Sequence, residues 1–94
     1  MNVFGIEVET MDEATAALRR RIGSNLRSLR EMKGMSLAAV GAALDKNPQT
    51  IANYEAGTVG ISYEMAWMLC NLYGVNIGML GGRIDYEPPT GEVA

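Results

Sequence analysis

Residues 47–57 read NPQTIANYEAG, and both ends of the stretch punctuate a short helix. Asn47 is a strong N-cap. Pro48 suits the first helical position because its missing N–H needs no partner there, and Gly57 supplies a left-handed stop. Inside, Ile51 and Tyr54 are three apart and share one face, while Gln49, Thr50, Ala52 and Asn53 point mainly elsewhere. That second face holds amides, a hydroxyl and a methyl, with no charge before Glu55. Amides pair with adenine and methyls meet the thymine methyl, so the face suits the reading of base edges in a DNA groove. It equally suits an ordinary solvated surface, and the flanking sequence must decide.

Immediately upstream, Ser36 caps a second short helix, LAAVGAAL, whose apolar faces carry mostly Ala and Gly. Small residues permit close backbone approach, so another helix is expected to cross here. Asp45-Lys46 is too short a link for anything but a tight turn. Further upstream, Thr10 and Glu13 form a T-x-x-E capping box, which predicts a helix from about residue 11 to residue 33. Its apolar positions at 11, 14, 18, 22, 26, 29 and 32 make one stripe, with Gly23 a candidate break and Gly34 a stop. Downstream, 58–61 form a loop, Ser62 caps a helix over 63–73, Gly74 ends it, and Asn76 caps one more turn.

At the ends, NVFGIEVE (2–9) alternates Phe4, Ile6 and Val8, and Arg83–Tyr86 alternates Ile84 and Tyr86. Pairing these as a two-stranded sheet, within one chain or across a dimer, would bury both sets. The expected fold class is all-α: four to five helices with optional short terminal strands. The organisation is an N-terminal extension (1–13), a helical domain (14–82) and an acidic C-terminal tail (83–94).

Ninety-four residues make one domain, and an apolar content of 48% is too high for a wholly disordered chain. With no histidine and one cysteine there is no disulfide, no zinc-site spacing and no Ser-His or Cys-His pair. No catalytic residue, metal or cofactor is expected. No apolar run reaches the length of a membrane span, and no signal-peptide layout opens the chain, so a cytoplasmic protein is the default. The net charge of −3 hides a split. All eight basic residues and only four acids fall within 14–83, which carries +4, while the other seven acids sit at the two ends. A cationic module with acidic extensions permits nucleic-acid binding without demanding it.

Residues 22–81 resemble the lambda-repressor-like helix-turn-helix domain, of the Cro/repressor or Xre type. The resemblance rests on the order and spacing of Ile22-Gly23, Leu29-Arg30-Glu31, Lys33-Gly34, Ser36, Ile51, Tyr54-Glu55-Ala56-Gly57 and Val75 to Leu80. It implies that helix 48–56 enters the major groove while the preceding helix crosses the backbone. By the same resemblance Asn47, Gln49, Thr50, Ala52 and Asn53 face the bases. Lys33, Ser36, Lys46 and Thr58 meet phosphate, and Arg30 forms a structural ion pair with Glu55. Three departures from the family pattern stand out. Leu37 and Pro48 occupy positions where the family often has glutamine. Asp45 occupies the glycine of the turn. The recognition helix has no Arg or Lys, so the commonest contact to guanine is missing.

The function so implied is a DNA-binding transcriptional regulator, a homodimer on double-stranded DNA, like a small phage repressor, Cro-type protein or antitoxin. The alternative is a protein-interaction module that kept the fold without DNA readout, partnered by a toxin or another regulator. Its evidence is the acidic tails and the missing glutamines. Cys70, Trp67 and the methionines of the fourth helix read as core packing, and Arg19-Arg20-Arg21 as a solvated surface.

Overall fold

The computed structural model describes the backbone of residues 5–81 and the side chains of residues 12–81. Five helices follow one another: α1 Gly5–Met32, α2 Leu37–Leu44, α3 Pro48–Ala56, α4 Tyr63–Tyr73 and α5 Gly78–Gly81. No strand occurs among the described residues.

The caps explain the boundaries of the short helices. The Ser36 hydroxyl accepts the Ala39 N–H at 3.0 Å, the Asn47 side-chain oxygen the Gln49 N–H at 2.7 Å, and the Ser62 hydroxyl the Met65 N–H at 3.0 Å. Each takes up a backbone donor that the first helical turn leaves without a partner. Between α2 and α3 the chain reverses at Asp45, which adopts the left-handed conformation at φ 57°. Lys46 N–H then donates to Gly41 O at 2.7 Å, closing the turn. An aspartate tolerates this conformation better than most residues, so the turn closes without glycine.

The first helix corrects the expected N-terminal boundary. α1 begins at Gly5, so residues 5–9 are helical where a strand was expected over 2–9; residues 2–4 and the strand expected at Arg83–Tyr86 lie outside the described residues. Thr10 and Glu13 fall inside α1 and do not start it. One physical reason favours the helix. Extending an existing helix costs far less than starting one, whereas a lone strand needs a partner. The sheet drawn between NVFGIEVE and the C-terminal tail is therefore overturned from Gly5 onward.

Leu26, Val40, Ile51, Met65, Ala66, Leu69, Cys70, Tyr73 and Leu80 form the core. Among the described side chains of the apolar stripe of α1, Leu26 is buried, Ile22 and Leu29 pack against the core, and Leu18 and Met32 are exposed. α1 runs on through Gly23 because the glycine is a contact, not a break. A Cβ there would overlap the carbonyl oxygens of Tyr54 and Glu55, so the α1 and α3 backbones meet at this point. Gly41 does the same for the turn, where a Cβ would come within 2.5 Å of Lys46 O. α5 is tied back by Asn25, whose side-chain amide donates to the carbonyls of Leu80 and Met79. Trp67 does not join the core. It is 51% exposed and shares the outer face of α4 with Tyr63 and Met68, while Met65, Leu69 and Cys70 turn inward.

Candidate nucleic-acid interface

One face of α3 is fixed to the domain, which determines what the other can present. Ile51 is buried in the core, Tyr54 packs against that core, and α3 as a whole lies against α1 and α2. At the far end, Glu55 and Arg30 form a two-pronged pair. Arg30 Nε donates to Glu55 Oε2 at 2.6 Å and Nη2 to Oε1 at 3.0 Å. The remaining prong, Nη1, donates to Met35 O at 2.9 Å, so one guanidinium joins α1, the α1–α2 link and α3. The side chains are only 13% and 8% exposed. The hydrogen bond it donates to Glu55 raises the Arg30 pKa above its ordinary value, against the opposing effect of burial. Forked geometry of this kind fixes an angle as well as a distance.

Asn47, Gln49, Thr50, Ala52 and Asn53 are left along the outward side, with Asn47 and Gln49 exposed and the other three half-buried. They are not independent. The Asn47 oxygen is engaged by the Gln49 N–H, and Gln49 Nε2 donates to Asn53 Oδ1 at 3.0 Å, one turn along the same face. Ala52 lines a hollow of about 330 Å³ with Leu37, Ala56, Arg27, Arg30 and Glu55. Leu37 thus puts an apolar side chain beside α3, and no polar group from the start of α2 reaches the outward amides in its place.

The four residues assigned to phosphate are spread around this face. Ser36 and Lys46 are exposed at the start of α2 and in the turn before α3. Their positions place the N-termini of α2 and α3 close in sequence to a hydroxyl and a cation, the arrangement that receives anionic oxygens. The Thr58 hydroxyl donates to Asn53 O at 3.3 Å, beyond the C-cap of α3. Lys33 is set apart from the others. Its ammonium lies beside Gly74, the C-cap of α4, where a helix end favours positive charge.

Some participants carry no sequence signal. Arg27 lines the hollow beside Ala52 and Ala56 while pairing with Glu31 at 3.0 Å, yet on the sequence it is one more arginine of a basic helix. Tyr73 is buried beneath the pair, its hydroxyl unpartnered. Desolvation pushes its pKa up to about 12, with Glu55 adding to the shift and Arg30 opposing it. An aromatic hydroxyl on an apolar helix was the one available hint of it. Among the described residues there is no cluster of acidic, cysteine or histidine groups able to hold a metal ion, and no helix long and apolar enough to cross a membrane.

The arrangement is a short helix held against α1 and α2 and showing an uncharged amide edge, with α2 one tight turn away. Residues 26–80, more than half of the chain, match the family model described as helix-turn-helix. No curated protein and no solved structure gives a significant match to the chain.

Proposed function

The chain belongs to the Cro/C1-type, lambda-repressor-like helix-turn-helix family, whose members are DNA-binding regulators, and from that premise we propose that it is a sequence-specific transcriptional regulator that reads the major groove with α3. The observation that carries this reading is the division of α3 into two faces. Ile51, Tyr54 and Glu55 are used to anchor it, while Gln49, Ala52 and Asn53 take no part in the core. Amides and methyls on the first turns of such a helix are the groups that meet base edges. Ser36, Lys46 and Thr58 supply backbone-positioning contacts around that helix.

A single domain of this size reads few base pairs, so the functional form we propose is a cytoplasmic homodimer on a two-fold-related site, its half-sites about 34 Å apart. A Cro-like repressor and an antitoxin are two biological settings for the same surface.

A second reading rests on a different observation. Tyr63, Trp67 and Met68 surround a shallow hollow of about 520 Å³ on the outer face of α4, with Glu64 at its edge. A half-exposed tryptophan beside methionine is the composition of protein-contact surfaces, so a protein partner, such as a toxin or another regulator, is the alternative.

Binding to random duplex DNA as a function of salt separates the two. A regulator with several phosphate contacts loses affinity by about one decade or more for each threefold rise in salt. Absence of binding by the folded protein even at low salt would leave the interaction module as the function.

A further inference from the structure

We propose that residues 84–87 of this chain, IDYE, dock in extended form along an apolar trough between α1 and the loop that follows α3. Ile84 meets Ile22 and Ile61, Tyr86 meets Leu18 and Val59, and Glu87 lies beside Arg19. Residues 82–94 lie outside the described part of the chain; the surface that receives them lies within it.

The trough is made of two hollows that share Ile22 and Ile61. The first, of about 430 Å³, is bounded on its α5 side by Ile77, Leu80 and Gly81. The second, of about 210 Å³, runs on past Leu18, Val59 and Gly60 to Thr15 and Arg19. The Asn25 side-chain amide donates to the carbonyl of Leu80, which fixes the end of α5 on α1, so the trough begins where α5 ends. Leu18 from α1 and Val59 from the loop are each 41% exposed. Covering such side chains is favourable in proportion to the apolar area removed from water.

Three observations select the occupant. The first is the path of the chain. Gly81 lines the trough, and thirteen residues follow it. A segment tethered at the rim binds as an intramolecular ligand, at a high effective concentration that a second copy or a foreign peptide does not have. The second is period. Extended chain advances about 6.6 Å for every two residues, and an α-helix about 6 Å for every four. Ile84 and Tyr86 are two apart, while Ile22 and Leu18 are four apart. The two apolar side chains of the segment therefore keep step with those of α1 when the segment runs antiparallel to it, away from Gly81. The third is charge. Arg19 lines the far end of the trough with its guanidinium over Gly60, and among the described residues no acid pairs with it. Alternation that turns Ile84 and Tyr86 inward turns Asp85 and Glu87 to the rim, which brings a carboxylate to Arg19.

The test uses the full chain, isotope-labelled and mixed with unlabelled chain, so that magnetisation transfer within one chain and between two chains can be told apart. Contacts from the Tyr86 ring to the methyls of Leu18 and Val59 are expected within one chain, and unchanged on dilution. Ile84→Ser/Tyr86→Ser should lower the thermal midpoint by roughly 4–8 °C. Val59→Ser should lower it much less in that double variant than in the wild-type chain, because the two sites share one contact. Arg19→Glu should weaken the Tyr86 contacts, and Arg19→Glu/Glu87→Arg should restore them. Contacts seen only between labelled and unlabelled chains would overturn the proposal and give the trough to a second copy. Absence of any contact from Tyr86 to Leu18 or Val59 would also overturn it, as would midpoint losses that simply add.

Discussion

Replacing Glu55 with alanine should test the anchoring of α3 directly. The substitution leaves Arg30 with Nε and Nη2 unpartnered and only the Met35 carbonyl in reach. Removing one partner of a buried pair costs about 3–5 kcal/mol, because the other charge remains where water cannot reach it, whereas an exposed pair is worth under about 1 kcal/mol. At 13% and 8% exposure the pair lies near the buried limit, and the retained carbonyl bond recovers part of the loss. The expected loss is about 2–3 kcal/mol, which for a domain of this size lowers the melting temperature by roughly 10–20 °C. Arg27 and Glu31 supply the control within the same helix. Their side chains are 66% and 55% exposed, so Arg27→Ala should cost under about 0.5 kcal/mol. The assay is urea unfolding at neutral pH for both variants, with Arg30→Met/Glu55→Leu added to complete the comparison. The double variant removes both charges together and should be less harmful than the sum of its single changes. A Glu55→Ala loss below about 0.5 kcal/mol, equal to the Arg27 control, would show that the pair does not hold α3 and would refute the reasoning.

Three further outcomes are expected. Tyr73 has a folded pKa of about 12 against about 10 unfolded, so its contribution is whole below pH 10 and is lost as the pH rises through 12. Urea midpoints should therefore show a loss of about 2 kcal/mol by pH 11.5 that is absent in Tyr73→Phe, and equal losses in the two proteins would rule this out. Gly23→Ala gains about 1 kcal/mol of helix propensity but drives a methyl into the carbonyls of Tyr54 and Glu55, so it should lower stability by roughly 1–3 kcal/mol; a stabilised variant would mean that α1 and α3 are not in backbone contact. Lys46→Ala should weaken binding to random and specific duplex about equally and reduce the salt slope by about 0.9, and a loss confined to one sequence would place Lys46 at a base.

Much of the fold was legible because its signals are local. Ser36, Asn47 and Ser62 each stand where a helix needs a side-chain acceptor, and Gly57 and Gly74 each take the left-handed conformation that ends one, so α2, α3 and α4 could be bounded residue by residue. The N-terminus failed for the converse reason. Thr10 and Glu13 satisfy a capping box equally well on paper whether or not a helix is already running past them, and the choice depends on the cost of interrupting it. Trp67 was misjudged because an amphipathic pattern gives the apolar face of α4 only when the polar face is polar. Tyr63, Trp67 and Met68 occupy the outer face, so hydrophobicity alone does not say which side of α4 turns inward.

The candidate interface was less legible than the fold, and the reason is the same. A helix face can be listed from spacing, but what it presents depends on hydrogen bonds that composition does not encode. Asn47 and Gln49 look alike as surface amides; the structure spends the oxygen of one on a cap and pairs the side chain of the other with Asn53. The pair at Arg30 and Glu55, separated by twenty-five residues, came from family resemblance and could not have come from spacing. The departures from the family pattern also gain a physical meaning here. Leu37 packs against the hollow beside Ala52, so no side chain of α2 orients the amides of α3. The Gln49 side chain meets Asn53 instead, four residues along the same helix, and an intrahelical bond of this kind moves rigidly with α3. Reading would then depend on the angle of α3 as a whole, which Arg30 and Glu55 set. A weakened pair should therefore reduce sequence discrimination together with stability.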